Sequence, residues 1–89
     1  MSQTRLPVVE LLSKPHCHLC EEAKTLLTDL RLRYPFTLYE IDLSTDPRLL
    51  ARYETEVPVV FINGRKAFKY RIDPKQFARA WNRAYTQRQ

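Results

Sequence analysis

The sequence predicts an α/β fold in which one mixed four-stranded sheet is flanked by helices. Three observations carry this prediction. Unbroken or alternating apolar runs exchange with apolar stripes at helical spacing, in the order strand, helix, strand, helix, strand, strand, helix. The opening strand–helix–strand unit requires a parallel pair joined by a right-handed crossover. An Asn63-Gly64 pair between two later strand-like runs requires an antiparallel hairpin.

Each element has a local reason. Val8-Val9-Glu10-Leu11-Leu12 is a short, mostly apolar run before a proline and reads as a buried strand. Its one charge, Glu10, is expected at a strand end with its carboxylate exposed. Residues 13–16 read as a loop. From Cys17 the period changes, and Leu19, Ala23, Leu26, Leu27 and Leu30 form one helical stripe. Glu21 and Glu22 near its start and Arg31 and Arg33 near its end suit the helix dipole, and Pro35 closes the segment. Residues 36–43 alternate loosely and read as a second strand. Asp46-Pro47 has an N-cap aspartate followed by proline at the first helical position, opening a short helix through about Tyr53. Residues 46–56 are long enough to cross a sheet face.

Val57-Pro58-Val59-Val60-Phe61-Ile62 reads as a third, apolar strand, and residues 65–70 return from the Asn-Gly turn as a fourth. Asp73-Pro74-Lys75-Gln76 opens the last helix, with Gln76 placed for a capping box. Phe77, Ala80, Trp81 and Ala84 supply its buried stripe.

Composition bounds the function. At 44% hydrophobic and 11% aromatic, the 89 residues suit one globular domain spanning 1–89 rather than a disordered chain. No apolar run approaches the roughly 20 residues of a membrane span. Arg5 and Pro7 interrupt any signal-peptide core, so the expected location is the cytoplasm. The net charge of +5 favours acidic partners or phosphates without specifying a fold.

The chemistry concentrates in Lys14-Pro15-His16-Cys17-His18-Leu19-Cys20-Glu21-Glu22, which holds both cysteines and both histidines. Two cysteines three apart close only a tiny loop and do not replace a core, as the several bridges of small secreted domains do. Cys17 falls where a strand ends and a helix begins. Free backbone N–H groups and the positive end of the dipole favour a thiolate there. Cys20 lies one turn further along the same helix, within bridging reach. The pair therefore reads as a thiol–disulfide oxidoreductase site, with Cys17 the attacking thiolate and Cys20 the resolving thiol.

Cys-x-x-Cys after the first strand, Val57-Pro58 before the third, then a hairpin and a final helix resemble the glutaredoxin branch of the thioredoxin-like fold, βαβαββα. The segment Val57-Pro58-Val59-Val60-Phe61-Ile62-Asn63-Gly64 is similar to a glutaredoxin segment, and Cys-His-Leu-Cys-Glu-Glu-Ala-Lys resembles the helix start of short glutaredoxin-like proteins. The resemblance implies a cis Pro58 facing the cysteines, a Val57 backbone that pairs with an extended substrate or glutathione, and a Lys14 that contacts glutathione. It implies no tightly bound cofactor, with glutathione as a co-substrate. The reductant would be glutathione or a thioredoxin-reductase-like flavoenzyme, and the substrate a disulfide-containing protein or a small thiol, met by a monomer. Phe68 and Lys69 stand where the family carries two glycines. His18-Leu19 replaces the usual proline–aromatic pair; His16 and His18 are candidate tuners of thiol acidity and redox poise, against a reading as solvent-facing loop and helix-start residues.

Other readings of the same residues stay open. Inert buried cysteines are the lesser reading of Cys17 and Cys20, and with His16 and His18 they form a candidate metal set, although neighbours this close converge poorly on a tetrahedral ion. An iron–sulfur-cluster module and a redox-inactive interaction domain are the alternatives to an enzyme. Arg65, Lys66, Lys69, Arg71 and Lys75 form a basic cluster expected to border the cysteines and to select acidic peptides or anionic thiols. A membrane role and a nucleic-acid surface, with Phe68 and Tyr70 as stacking residues, are the disfavoured readings.

Overall fold

A computed structural model of the chain describes residues 5–87 and contains β1 (Val8–Ser13), α1 (His18–Arg33), β2 (Thr37–Asp42), α2 (Pro47–Tyr53), β3 (Val59–Ile62), β4 (Arg65–Lys69) and α3 (Pro74–Gln87). A 3-10 turn at Leu43–Thr45 links β2 to α2. The four strands form one sheet in the order β2-β1-β3-β4. β1 and β2 run parallel, while β1–β3 and β3–β4 are antiparallel. This is the predicted βαβαββα arrangement. Among the described residues no helix is long and apolar enough to cross a membrane.

Element starts and stops follow side-chain chemistry. The Asp46 carboxylate accepts from the Arg48 and Leu49 N–H groups at 3.0 and 3.3 Å, with Pro47 in the first turn, so α2 begins where the sequence placed it. Asp46→Ala is expected to cost about 1 kcal/mol of unfolding free energy in urea denaturation, because two N–H groups lose their acceptor. Asn63 and Gly64 have φ of 50° and 80°, the pair of positive values that a type I′ turn requires. At α3, Asp73 accepts from the Lys75 N–H at 3.0 Å, the aspartate half of the expected cap.

β1 runs one residue past expectation to Ser13, β2 is one residue shorter at each end, and two further boundary shifts have a direct cause. β3 begins at Val59 rather than Val57, since Pro58 has no N–H to give to a ladder. β4 ends at Lys69 because Tyr70 turns to φ 70°, a left-handed conformation that an aromatic residue rarely adopts.

The core lies in two parts. α1 and α3 pack against one sheet face through Ala23, Leu27, Leu30, Phe77 and Ala84, which meet Val9, Leu11, Val60 and Ile62. The other part gathers Leu12, Leu43, Tyr53, Val57 and Val59 around buried Cys20, with Leu49 and Leu50 of α2 against it. α2 is only seven residues long and covers a limited part of its face. Glu10 lies on that side. It occupies the middle of central strand β1, opposite Tyr39 and Phe61, rather than a strand end. It is half-buried, lining a cavity of about 280 Å³ with Leu12, Ile41 and Phe61. The expectation of an exposed strand-end carboxylate fails because both neighbours of β1 extend past it.

Candidate active site

β1 is the most enclosed strand of the sheet, and its last residues Leu11, Leu12 and Ser13 are all buried. It delivers the chain to Cys17, which is the N-cap of α1 with extended backbone (φ −114°, ψ 105°). The Cys17 sulfur accepts the Cys20 backbone N–H at 3.2 Å. The sulfur thus takes the place of the serine or aspartate oxygen that usually satisfies a first-turn donor. The Cys17 carbonyl starts the helical ladder, accepting from Glu21 N–H at 3.1 Å.

Cys17 and Cys20 are joined as a disulfide, with Cα atoms 5.2 Å apart. Their exposures differ. Cys17 is half-buried, whereas Cys20 is 4% exposed beneath it. One sulfur is therefore accessible to a reactant and the other is enclosed. Burial of Cys20 among Leu12, Val57 and Val59 follows from its position on the inner side of α1, one turn on from the cap.

The loop before Cys17 is tightly held. His16 takes φ 58° and is exposed. Lys14 donates its ammonium to the Glu54 carbonyl at 3.2 Å, tying the loop to the end of α2. The Val57–Pro58 peptide is cis, and both residues are buried. The Pro58 carbonyl accepts from the Tyr70 N–H at 2.8 Å. Among the described residues Val57 makes no backbone hydrogen bond outside the regular strands.

On the outer side, Glu22 is the hub. One oxygen meets His18 Nε2 at 2.9 Å and the other meets Arg71 Nη1 at 3.5 Å. This chain of charges spans from the first turn of α1 to the segment after β4. All three side chains are well exposed, so the pairs contribute little to stability and chiefly bias where Arg71 sits. Beneath them is a cavity of about 300 Å³ whose walls include Leu19, Ala23, Leu26, Tyr70 and Ile72. Leu19, between the two cysteines in sequence, is one of its walls, while neither cysteine lines it. Tyr70, 43% exposed, escaped the sequence analysis as a wall residue, since nothing in a tyrosine signals the left-handed turn that puts it there.

The sequence-predicted residues do not all converge. His16 and His18 do not close around the sulfurs: among the described residues no group of three or more His, Cys, Asp or Glu side chains is placed to hold an ion. The basic cluster expected to border the cysteines divides. Arg71 reaches Glu22, whereas Arg65 and Lys66 pair with Ile62 and Phe61 toward the opposite end of the sheet. Lys66 also bonds Glu56, and that hydrogen bond holds the Glu56 carboxyl below its ordinary range. Phe68, a candidate stacking residue, is half-buried and stacks on Phe77, with ring centroids 6.4 Å apart.

A family model described as glutaredoxin-like domain (DUF836) matches residues 8–81. Among solved structures, a protein of Nitrosomonas europaea determined by NMR in solution is similar at 24% identity and a TM-score of 0.78, covering 91% of this chain and 98% of that one. Mitochondrial thioredoxin 3 of Saccharomyces cerevisiae, in its oxidised form, is similar at 19% identity and TM-score 0.66, covering 89% of this chain and 79% of its own. A thioredoxin variant from Halobacterium salinarum follows at 16% identity and TM-score 0.64, covering 91% and 76%. These likenesses establish a thioredoxin-like fold.

Proposed function

This chain belongs to the glutaredoxin-like domain family, and from that premise we propose that it is a thiol–disulfide oxidoreductase cycling Cys17 and Cys20. The observation that carries the reading is the asymmetry of the pair: Cys17 caps α1 and is reachable, while Cys20 is enclosed one turn behind it.

The cycle begins from the reduced dithiol. The Cys17 thiolate attacks one sulfur of a substrate disulfide, forming a mixed disulfide, and the other substrate sulfur leaves as a thiolate that takes up a proton. Cys20, deprotonated, then attacks the Cys17 sulfur. The Cys17–Cys20 disulfide forms and the second substrate thiol departs. Two electrons pass from the protein to the substrate, and an external thiol or a thioredoxin-reductase-like flavoenzyme must return them. The Cys20 N–H and the start of α1 favour the Cys17 thiolate as attacker. The Cys17 sulfur becomes an electrophile for Cys20 only in the mixed disulfide, and burial keeps Cys20 from competing with Cys17 for the substrate.

The free backbone of Val57 beside the pair suits an extended disulfide-bearing segment, and the cavity walled by Leu19, Tyr70 and Arg71 suits its neighbouring side chain. Lys14 donates to the Glu54 carbonyl and keeps two further N–H donors for a glutathione carboxylate. Glutathione and a thioredoxin-reductase-like flavoenzyme are the candidate reductants, in the cytoplasm or another reducing compartment. His18, partnered with Glu22 on the outer face, acts on Cys17 only through the local field.

The test is a trapping experiment. Cys20→Ser, incubated with a small disulfide such as oxidised glutathione, is expected to accumulate one mixed disulfide per chain at Cys17, read by mass spectrometry of the intact protein and its peptides. Cys17→Ser, treated in parallel, should form its adduct at Cys20 far more slowly, because Cys20 is 4% exposed; equal or faster adduct formation at Cys20, or none at Cys17, would reject the assignment of attacker and resolver.

A further inference from the structure

The end of the molecule opposite the thiols carries a second concave surface. β1 runs toward Cys17, and β3 lies antiparallel to it with Ile62 beside Val9 and Val59 beside Leu12. The Asn63-Gly64 turn is therefore at the far end of the sheet from the disulfide. Between that turn, β4 and α3 is a groove of about 430 Å³. That volume lies within the usual range of small-ligand sites.

Its lining has one chemical character. Ile62, Phe68, Ala80 and Ala84 provide an apolar floor, and Arg65 and Arg83 stand among the polar lining groups. No acidic residue lines it. Among the described residues neither arginine is in an ion pair, whereas Lys66 is already committed to Glu56. Asn63 also lines the groove, and its Oδ1 is used by the Val8 N–H at 2.8 Å, which leaves its amide hydrogens as donors. The surface is thus rich in donors and poor in acceptors.

The whole chain shows the same bias. From residue 63 onward there are eight basic residues and one acidic residue, while the first 62 residues carry seven basic and nine acidic ones. Of these eight, Arg65, Lys66 and Arg83 line the groove, while Arg71 lies at the thiol end beside Glu22. A potential focused on a concave, partly apolar surface raises the local concentration of anions.

We propose that the groove between β4 and α3 binds a small organic anion, with a phosphate or carboxylate head held by Arg65 and Arg83 and an apolar body on the Ile62–Phe68–Ala80 floor. Guanidinium groups match both oxyanions through paired hydrogen bonds. A nucleic acid fits less well, because Phe68 is the one aromatic ring among the lining residues and successive bases need successive stacking platforms. This site is separate from the thiols and does not depend on their turnover.

NMR titration of the ¹⁵N-labelled full chain tests the proposal with phenyl phosphate, 4-phenylbutyrate, inorganic phosphate, neutral benzyl alcohol and a hexaglutamate peptide. Saturable shifts centred on residues 62–68 and 80–84 with either aromatic anion are expected, and the tighter of the two identifies the head group. Inorganic phosphate and benzyl alcohol should bind at least tenfold more weakly, each lacking half of the recognition. Arg65→Gln and Arg83→Gln should each weaken binding roughly tenfold, Arg48→Gln should leave it unchanged, and thermal melts establish that every variant is folded. The proposal is overturned by the absence of saturation, by shifts centred on Leu19, Tyr70 and Arg71 instead, by unaltered affinity in both arginine variants, or by tighter binding of hexaglutamate than of both aromatic anions.

Discussion

Replacing Cys17 by serine is expected to reduce disulfide-reductase turnover to background, a loss on the order of a thousandfold or more. The reason is chemical before it is structural. A serine hydroxyl at the same cap can accept the same N–H, so α1 keeps its start, but near neutral pH it supplies no anion capable of attacking sulfur. Cys20 cannot substitute, being 4% exposed and enclosed by Leu12, Val57 and Val59. The measurement is turnover of a protein disulfide under a thiol reductant, with thermal melts compared against reduced wild-type protein, since the variant also lacks the bridge. Turnover retained within about tenfold of wild type would mean that Cys17 is not the attacking group.

Phe77→Ala is expected to cost about 3–5 kcal/mol of folding free energy, the largest effect on stability anticipated for a single side chain here. Phe77 is 0% exposed. Its ring centroid lies 5.5 Å from that of Phe36, 6.3 Å from Tyr34 and 6.4 Å from Phe68. It is the residue through which α3 is fastened to the sheet and to the segment following α1, so its removal leaves a cavity bounded by rings that cannot easily collapse. In a domain of this size such a loss lowers the melting temperature by at least about 12 °C. Urea unfolding with an unchanged slope should report it. A loss below about 1 kcal/mol would show that the aromatic cluster does not organise the core.

Most of the fold was legible because its signals are local. The Asp46-Pro47 and Asp73-Pro74 starts, the Asn63-Gly64 turn and the stripe from Leu19 to Leu30 each act within a few residues, and the structure keeps them. What was not legible depends on pairing between distant segments. Glu10 looks like a strand-end charge in isolation, and only the register with Tyr39 and Phe61 puts it in mid-strand on the thinly covered face. The basic residues 65–71 look like one patch in sequence. A strand rises about 3.3 Å per residue, so β4 carries its two ends to opposite ends of the sheet, Arg65 to the groove and Arg71 to Glu22. Tyr70 is a third case: the backbone there demands the conformation glycine favours, and the sequence supplies an aromatic. In the site, Cys17 as helix cap was readable from spacing, while the Lys14–Glu54 link and the Glu22 hub required coordinates.

The central claim is that the start of α1 makes Cys17 a thiolate near neutral pH. The most direct measurement is the pH dependence of Cys17 alkylation by iodoacetamide in the Cys20→Ser variant, where only one thiol reacts. The midpoint is expected below the free-cysteine value of about 8.5, because the N–H at position 20 and the helix terminus both stabilise the anion. A midpoint equal to the free value or above it would contradict the account.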